Sequence, residues 1–207
     1  MRNKKLFSLL ALSISLTLCL AGCSSVPGET RRHTKELFAM GTYMSLAAYG
    51  DQAEAALDEA ENRITEWESL WSTTDAGSEI YQINHSNGQP VAVCAETETL
   101  LRFTLKMAEQ TEGALDPTIY PLVDAWGFIR QDYRVPSAQE IRELLSRTGY
   151  ENLRLENHQV TLPEGMQLDL GAVGKGYAGQ MLADSFREQG ITSALLDMGG
   201  NIQLVGS

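Results

Sequence analysis

The chain has 207 residues, 43% of them hydrophobic, and a formal charge of −11 at neutral pH. That length suits one domain with a real core. The acidic balance excludes a protein that grips nucleic acid on a basic face, because counterion release needs clustered lysine and arginine.

The chain opens like an export leader. Arg2, Lys4 and Lys5 form a basic start, and residues 6–20 are an apolar stretch too short for a typical membrane-spanning helix. It runs into Leu20-Ala21-Gly22-Cys23, small residues before a cysteine as in a bacterial lipobox. Residues 1–22 are therefore predicted to be a lipoprotein signal peptide and Cys23 the lipidated N-terminus. Lipid there anchors a protein to the cell membrane on its extracytoplasmic side without spanning it. Residues 23–35, polar and containing Pro27 and Gly28, read as a tether. Losing the leader removes three basic residues and takes the charge from −11 to −14. Phosphate binding then has to come from backbone N–H groups, a lysine or a divalent cation. Only Cys94 remains after Cys19 and Cys23, so no internal disulfide is expected, and its apolar neighbours point to core packing.

Residues 36–49 alternate and favour strand, with a glycine kink at Met40-Gly41-Thr42. Residues 51–71 read as a long helix with Ala53, Ala56, Leu57, Ala60, Ile64, Trp67 and Leu70 on one face. Ser78 can cap a short helix carrying Ile80 and Ile83. A polar loop over 84–90 and a short strand over 91–94 follow. A second long helix spans 97–112, ended by Gly113. Residues 113–128 hold two prolines, two glycines and three aromatics, unlike a regular element. Pro117 pushes Asp116 toward an extended backbone. The stretch suits either a pocket wall with one fixed carboxylate or a loop that covers core. Residues 137–147 form a helix with Ser137 and Glu140 in capping-box spacing. Residues 153–155 and 159–162 read as a hairpin across Asn157-His158, with His158 exposed.

The chain is organised around residues 167–184. A strand-like piece, Met166 to Leu170, turns through Gly171, Gly174 and Gly176 around Lys175. It then becomes a helix with Tyr177, Met181, Leu182 and Phe186 at helical spacing. A helix N-terminus with unpaired N–H groups and a positive dipole end can seat an anion, and glycine lets it approach closely. The same turn also suits a tight connection that needs glycine for sterics alone. Residues 193–198 read as a buried strand that enters the turn Asp197-Met198-Gly199-Gly200-Asn201 and a last strand, 202–205. That strand has no obvious partner after it, so the domain is expected to continue beyond Ser207.

Five motifs in order carry a family resemblance. They are Phe38-Ala39-Met40-Gly41-Thr42, Ser78-Glu79-Ile80 with Ile83-Asn84, and Gly113-Ala114-Leu115-Asp116-Pro117-Thr118 leading to Trp126-Gly127-Phe128. Then come Leu168-Asp169-Leu170-Gly171-Ala172-Val173-Gly174-Lys175-Gly176-Tyr177-Ala178 and Asp197-Met198-Gly199-Gly200-Asn201. Together they resemble the FAD:protein FMN transferases, the ApbE-type lipoproteins, over residues 36–207. The resemblance implies an α+β fold, a mixed sheet with packed helices in one domain, incomplete here at its C-terminal end. It implies FAD as substrate, Mg²⁺ as cofactor, and transfer of FMN to a Thr or Ser hydroxyl of an acceptor flavoprotein with release of AMP. By position, Met40, Thr74, Ala114, Leu115, Asp116, Asp169 and Lys175 would contact FAD, with Lys175 also catalytic. The carbonyl of Ala172 would be one Mg²⁺ ligand, and the other metal ligands lie beyond this sequence. Thr74 stands where many relatives have an aromatic ring, for which Trp71 is a possible stand-in. Two other readings share these motifs: a Mg²⁺-dependent FAD pyrophosphatase, and a non-catalytic FAD-binding lipoprotein.

Overall fold

Apolar side chains of one sheet face and two helices meet in the main core. A computed structural model describes residues 31–206. The leader, the lipobox with Cys23 and the first part of the tether lie outside the described residues. Strands β1 (Arg32–Ala39) and β2 (Thr42–Tyr49) pair antiparallel. Two later strands, β6 (Ala194–Asp197) and β7 (Ile202–Val205), form a second hairpin. β2 pairs with β6, giving a four-stranded antiparallel sheet in the order β1-β2-β6-β7. Helix α1 (Ala53–Trp71) packs on this sheet and on helix α6 (Gly174–Glu188). The alternation of β2 sends Met44, Leu46 and Ala48 inward, each fully buried. Ala56, Leu57, Ala60 and Ile64 of α1 and Ala178, Leu182 and Phe186 of α6 meet them. The alanines keep α1 close to the sheet, and each buried Leu, Ile or Phe contributes roughly 1.5–3 kcal/mol.

A smaller sheet, in the order β3-β5-β4, is made by β3 (Val91–Ala92), β4 (Arg154–Glu156) and β5 (Gln159–Thr161). The short helix α2 (Glu79–Asn84) starts at Ser78, whose Oγ accepts the Tyr81 N–H at 3.0 Å. Helix α3 (Ala95–Gln110) follows β3. Helices α4 (Tyr120–Ala125) and α5 (Ala138–Leu145) complete the set, with Ser137 capping α5 through the Glu140 N–H. The mixture of helices and antiparallel sheets is an α+β fold.

Several expectations are corrected. β1 begins at Arg32, so part of the stretch 23–35 is strand, not tether. The glycine kink is a two-residue hairpin turn: Met40 and Gly41 have φ of 50° and 70°, and Ala39 pairs with Thr42. Two successive positive φ values match the twist of paired strands. Cys94 is not in the strand; it is the half-buried N-cap of α3. Inside the irregular 113–128 stretch lies α4, with Pro121 in its first turn, where no N–H is missed. Residues 166–170 belong to neither sheet. Their one isolated β-bridge among the described residues is the parallel one between Ile119 and Gln167, and Met166, Leu168 and Leu170 are buried in the core.

Candidate functional site

Both hairpin turns of the large sheet lie at the same end. A Cβ on Gly199, whose φ is +79°, would sit 2.3 Å from Thr42 Cγ2. The start of α6 is beside them, since a Cβ on Gly176 would lie 3.5 Å from Asn201 Nδ2. Two cavities open at this end.

The first has a volume of about 450 Å³. The β1–β2 turn supplies Met40 and Gly41, and the end of α1 supplies Trp67, Glu68 and Trp71. Ser72, Thr73 and Thr74 follow, with Phe128, Ile129 and Gln131 opposite. Asp169, Leu170, Gly171, Gly174 and Lys175 form the floor. The second cavity, also about 450 Å³, is lined by residues 113–117, including Ala114, Leu115 and Asp116, and by Asp169, Gly171 and Ala172. Asp169 and Gly171 belong to both. Met40, Thr74, Asp169 and Lys175 thus meet in the first cavity, and Ala114, Leu115, Asp116, Asp169 and Ala172 in the second.

The wall of the first cavity is stiff. Trp67 and Trp71 stack with ring centres 5.6 Å apart and planes 6° apart. Trp71 Nε1 donates to Thr97 Oγ1 at 3.2 Å, and Tyr177 meets the Trp71 ring edge-on. Trp71 is therefore committed to the core, at 8% exposure. Thr74 is exposed, with its hydroxyl 3.3 Å from Ser72 Oγ. The exposed aromatic ring on this cavity is Phe128, which packs on Tyr133 at 5.7 Å. Met40 holds a left-handed backbone that costs a non-glycine residue about 1–2 kcal/mol. Its N–H donates to Glu68 Oε1 at 2.9 Å, which fixes the turn against α1.

The floor is built for an anion. Asp169 folds back so that its Oδ1 accepts the Gly171 N–H at 2.5 Å, and a Cβ on Gly171 would come within 2.8 Å of that oxygen. Gly174 N–H donates to Leu170 O at 2.7 Å and Tyr177 N–H to Val173 O at 2.9 Å. Among the described residues, the N–H groups of Ala172, Lys175 and Gly176 have no acceptor. Lys175 is half-buried in the first turn and makes no ion pair among the described residues. Unpaired N–H groups, the dipole and a cation act in the same sense there. Near the cavity, burial pushes the Tyr120 phenol up from its ordinary range, with Asp124 and Asp169 adding to it against a hydrogen bond from Thr73.

Oxygen donors suited to a hard divalent cation also border the second cavity: the Ala172 carbonyl, Asp169 and Asp116. Asp116 Oδ1 accepts the Thr118 N–H at 2.8 Å and its hydroxyl at 2.6 Å, leaving the other oxygen. No group of three or more His, Cys, Asp or Glu side chains gathers as a metal site among the described residues. The donors fit Mg²⁺ in kind and would supply only part of a coordination shell.

Some residues at the site were not singled out from the sequence. Glu68, Ser72, Thr73, Ile129 and Gln131 line the first cavity without a motif to flag them. Phe128 had a signal, its place after Trp126-Gly127, but no role followed from it. Asn84, quoted in the Ile83-Asn84 motif but expected at the start of a polar loop, is a buried residue at the end of α2.

Comparison with known proteins follows the same lines. A model of the ApbE family matches residues 40–207. A Vibrio cholerae serotype O1 protein named FAD:protein FMN transferase is 31% identical over 205 residues, covering 94% of this chain and 60% of the relative. An Escherichia coli K12 protein of the same name is 29% identical, with 93% and 60% covered. Among solved structures, the flavin transferase ApbE of Vibrio cholerae superposes with a TM-score of 0.78 at 28% identity, covering 86% of this chain and 60% of the other. The ApbE protein of Thermotoga maritima gives 0.77 at 29% identity, covering 85% and 59%. This chain thus spans about 60% of the length of the relatives it matches.

Proposed function

Because the chain belongs to the ApbE family, we propose that it binds FAD and takes part in transferring its FMN half to a Thr or Ser hydroxyl of an acceptor flavoprotein, releasing AMP. The observation that carries this reading is the pair of cavities that meet at Asp169 and Gly171. A dinucleotide has two ring systems joined by a pyrophosphate. One system fits each cavity, and the linker then crosses the start of α6.

In the reaction the acceptor oxygen forms a bond to the phosphorus on the FMN side. The bond from that phosphorus to the bridging oxygen breaks, AMP leaves with that oxygen, and the hydroxyl proton goes to solvent. Lys175 and the unpaired N–H groups of α6 stand where negative charge grows on the phosphoryl oxygens. The stacked indoles and Met40 exclude water from one side, while Phe128 offers a ring face to a planar group. Mg²⁺, held in part by the Ala172 carbonyl, would supply further neutralisation of phosphoryl charge. The leader grammar supports lipid attachment at Cys23 and work on the extracytoplasmic side of the cell membrane. Among the described residues no helix is long and apolar enough to cross a membrane.

The test is incubation of the chain with FAD, Mg²⁺ and a threonine-containing acceptor peptide, following AMP and peptide mass. Peptide carrying one FMN together with AMP is the expected result. AMP with unmodified peptide would replace transfer by pyrophosphate hydrolysis. Bound FAD with no AMP would leave a flavin-binding lipoprotein without catalysis.

A further inference from the structure

Asn84 is the last residue of α2 and only 9% exposed. Its Oδ1 accepts the Leu168 N–H at 2.6 Å, and its Nδ2 donates to the Leu168 carbonyl at 2.9 Å. One side-chain amide thus satisfies both backbone groups of one residue, as a neighbouring strand does in a sheet. On the other side of the same segment, Gln167 bridges Ile119 and the Asp169 N–H donates to Pro117 O at 2.7 Å. Asn84 therefore completes a ladder that no strand provides. The residue after the clamped peptide is Asp169, whose carboxylate caps the Gly171 turn and borders both cavities.

The other end of α2 is tied to the opposite wall. The Ser78 hydroxyl donates to the Ser72 carbonyl, and Ser72 Oγ accepts the N–H groups of Thr74 and Asp75. Ile80 and Ile83 seat the helix in the core between these two ends. α2 is a strut between the 72–74 wall and the Asp169 floor. Leu168 uses both polar ends of the Asn84 amide, and the residue is buried, so Asn84 does not itself meet a ligand.

We propose that Asn84 is a positioning residue of the flavin site: its amide holds the Leu168 peptide so that Asp169 is presented to both cavities. This rests on the reading of the site as the FAD site. Asp in its place would lose the donor, and Ala would lose both contacts and leave two buried backbone groups unpaired.

The test is a double-mutant cycle on FAD affinity, read by flavin fluorescence titration of the full chain, with melting temperature read alongside. Asn84→Ala is expected to weaken FAD binding at least tenfold. In an Asp169→Asn background the same substitution is expected to change affinity less than twofold, while the fall in melting temperature is alike in both backgrounds. If Asn84→Ala does not fold, Asn84→Ser keeps a polar group, releases the two-point clamp and is read in the same cycle. Unchanged affinity, or equal losses in both backgrounds, would overturn the proposal. Wild-type protein that binds FAD without turnover would end the transfer reading and leave the cycle decisive through binding alone. Wild-type protein that binds no FAD would overturn both.

Discussion

Lys175 stands in the first turn of α6 with a half-buried side chain and no carboxylate partner among the described residues. A cation so placed has little to do for stability, because its loss unpairs nothing. Lys175→Met is therefore expected to leave the melting temperature within a degree or two of wild type and to lower the proposed FMN transfer by about 100-fold, the scale of losing one donor to a developing oxyanion. Equal loss of melting temperature and activity would make it structural instead. Lys175 was picked out in the sequence by its place between glycines at a helix start and by the family motif, since the glycine turn alone also suits a tight steric connection. Asn84 stood in a motif but without a role, because one polar residue at the end of a short helix carries no periodicity. Its partner is Leu168, and only the folded chain brings the two together.

Among the elements, long periodic segments were read correctly: α1 and α3 show apolar residues at helical spacing over many turns, and burial follows that pattern. The β1–β2 hairpin was hidden because its turn uses Met40 where Asn or Gly is usual. Residues 166–170 alternate like a strand because Met166, Leu168 and Leu170 are buried on one side of an extended segment, whose backbone is bonded on both sides, once by a side chain. α3 is also tied to the β4–β5 turn, since Glu98 hydrogen-bonds both Arg102 and His158. The Arg102 guanidinium first, and then His158, hold the Glu98 carboxyl below the ordinary glutamate range. A carboxyl depressed by folding stabilises the protein above its unfolded pKa, and that contribution is lost as pH falls through the folded one. Thermal melts of wild type are expected to show a stability loss on acidification below about pH 4.3. Glu98→Gln should flatten that slope. An unchanged slope would assign the acid loss to other carboxylates.

Across the whole molecule, charge is the dominant long-range fact. With −11 on 207 residues and Glu68, Asp116 and Asp169 around the cavities, the proposed anionic dinucleotide would approach against the field. Its association rate should rise with ionic strength as the Debye length shrinks from about 30 Å at 0.01 M to about 10 Å at 0.1 M. Stopped-flow mixing checks this, and a rate that falls with salt would mean that the local field of Lys175 governs capture. The pairing of β2 with β6 bears on how the molecule is made. Leu46 faces Leu196 and Ala48 faces Ala194, contacts between the early and late parts of the described chain. Such non-local pairing is slow to form because a long loop must close first. During synthesis the β1–β2 hairpin emerges early and must wait with one edge open until Ala194–Asp197 leaves the ribosome. The cavity floor, made of residues 169–175, is translated before β6 but has no closed sheet to stand on until then. The interval between the two is when a nascent chain is most exposed to wrong edge pairing, and when a chaperone has most reason to hold it.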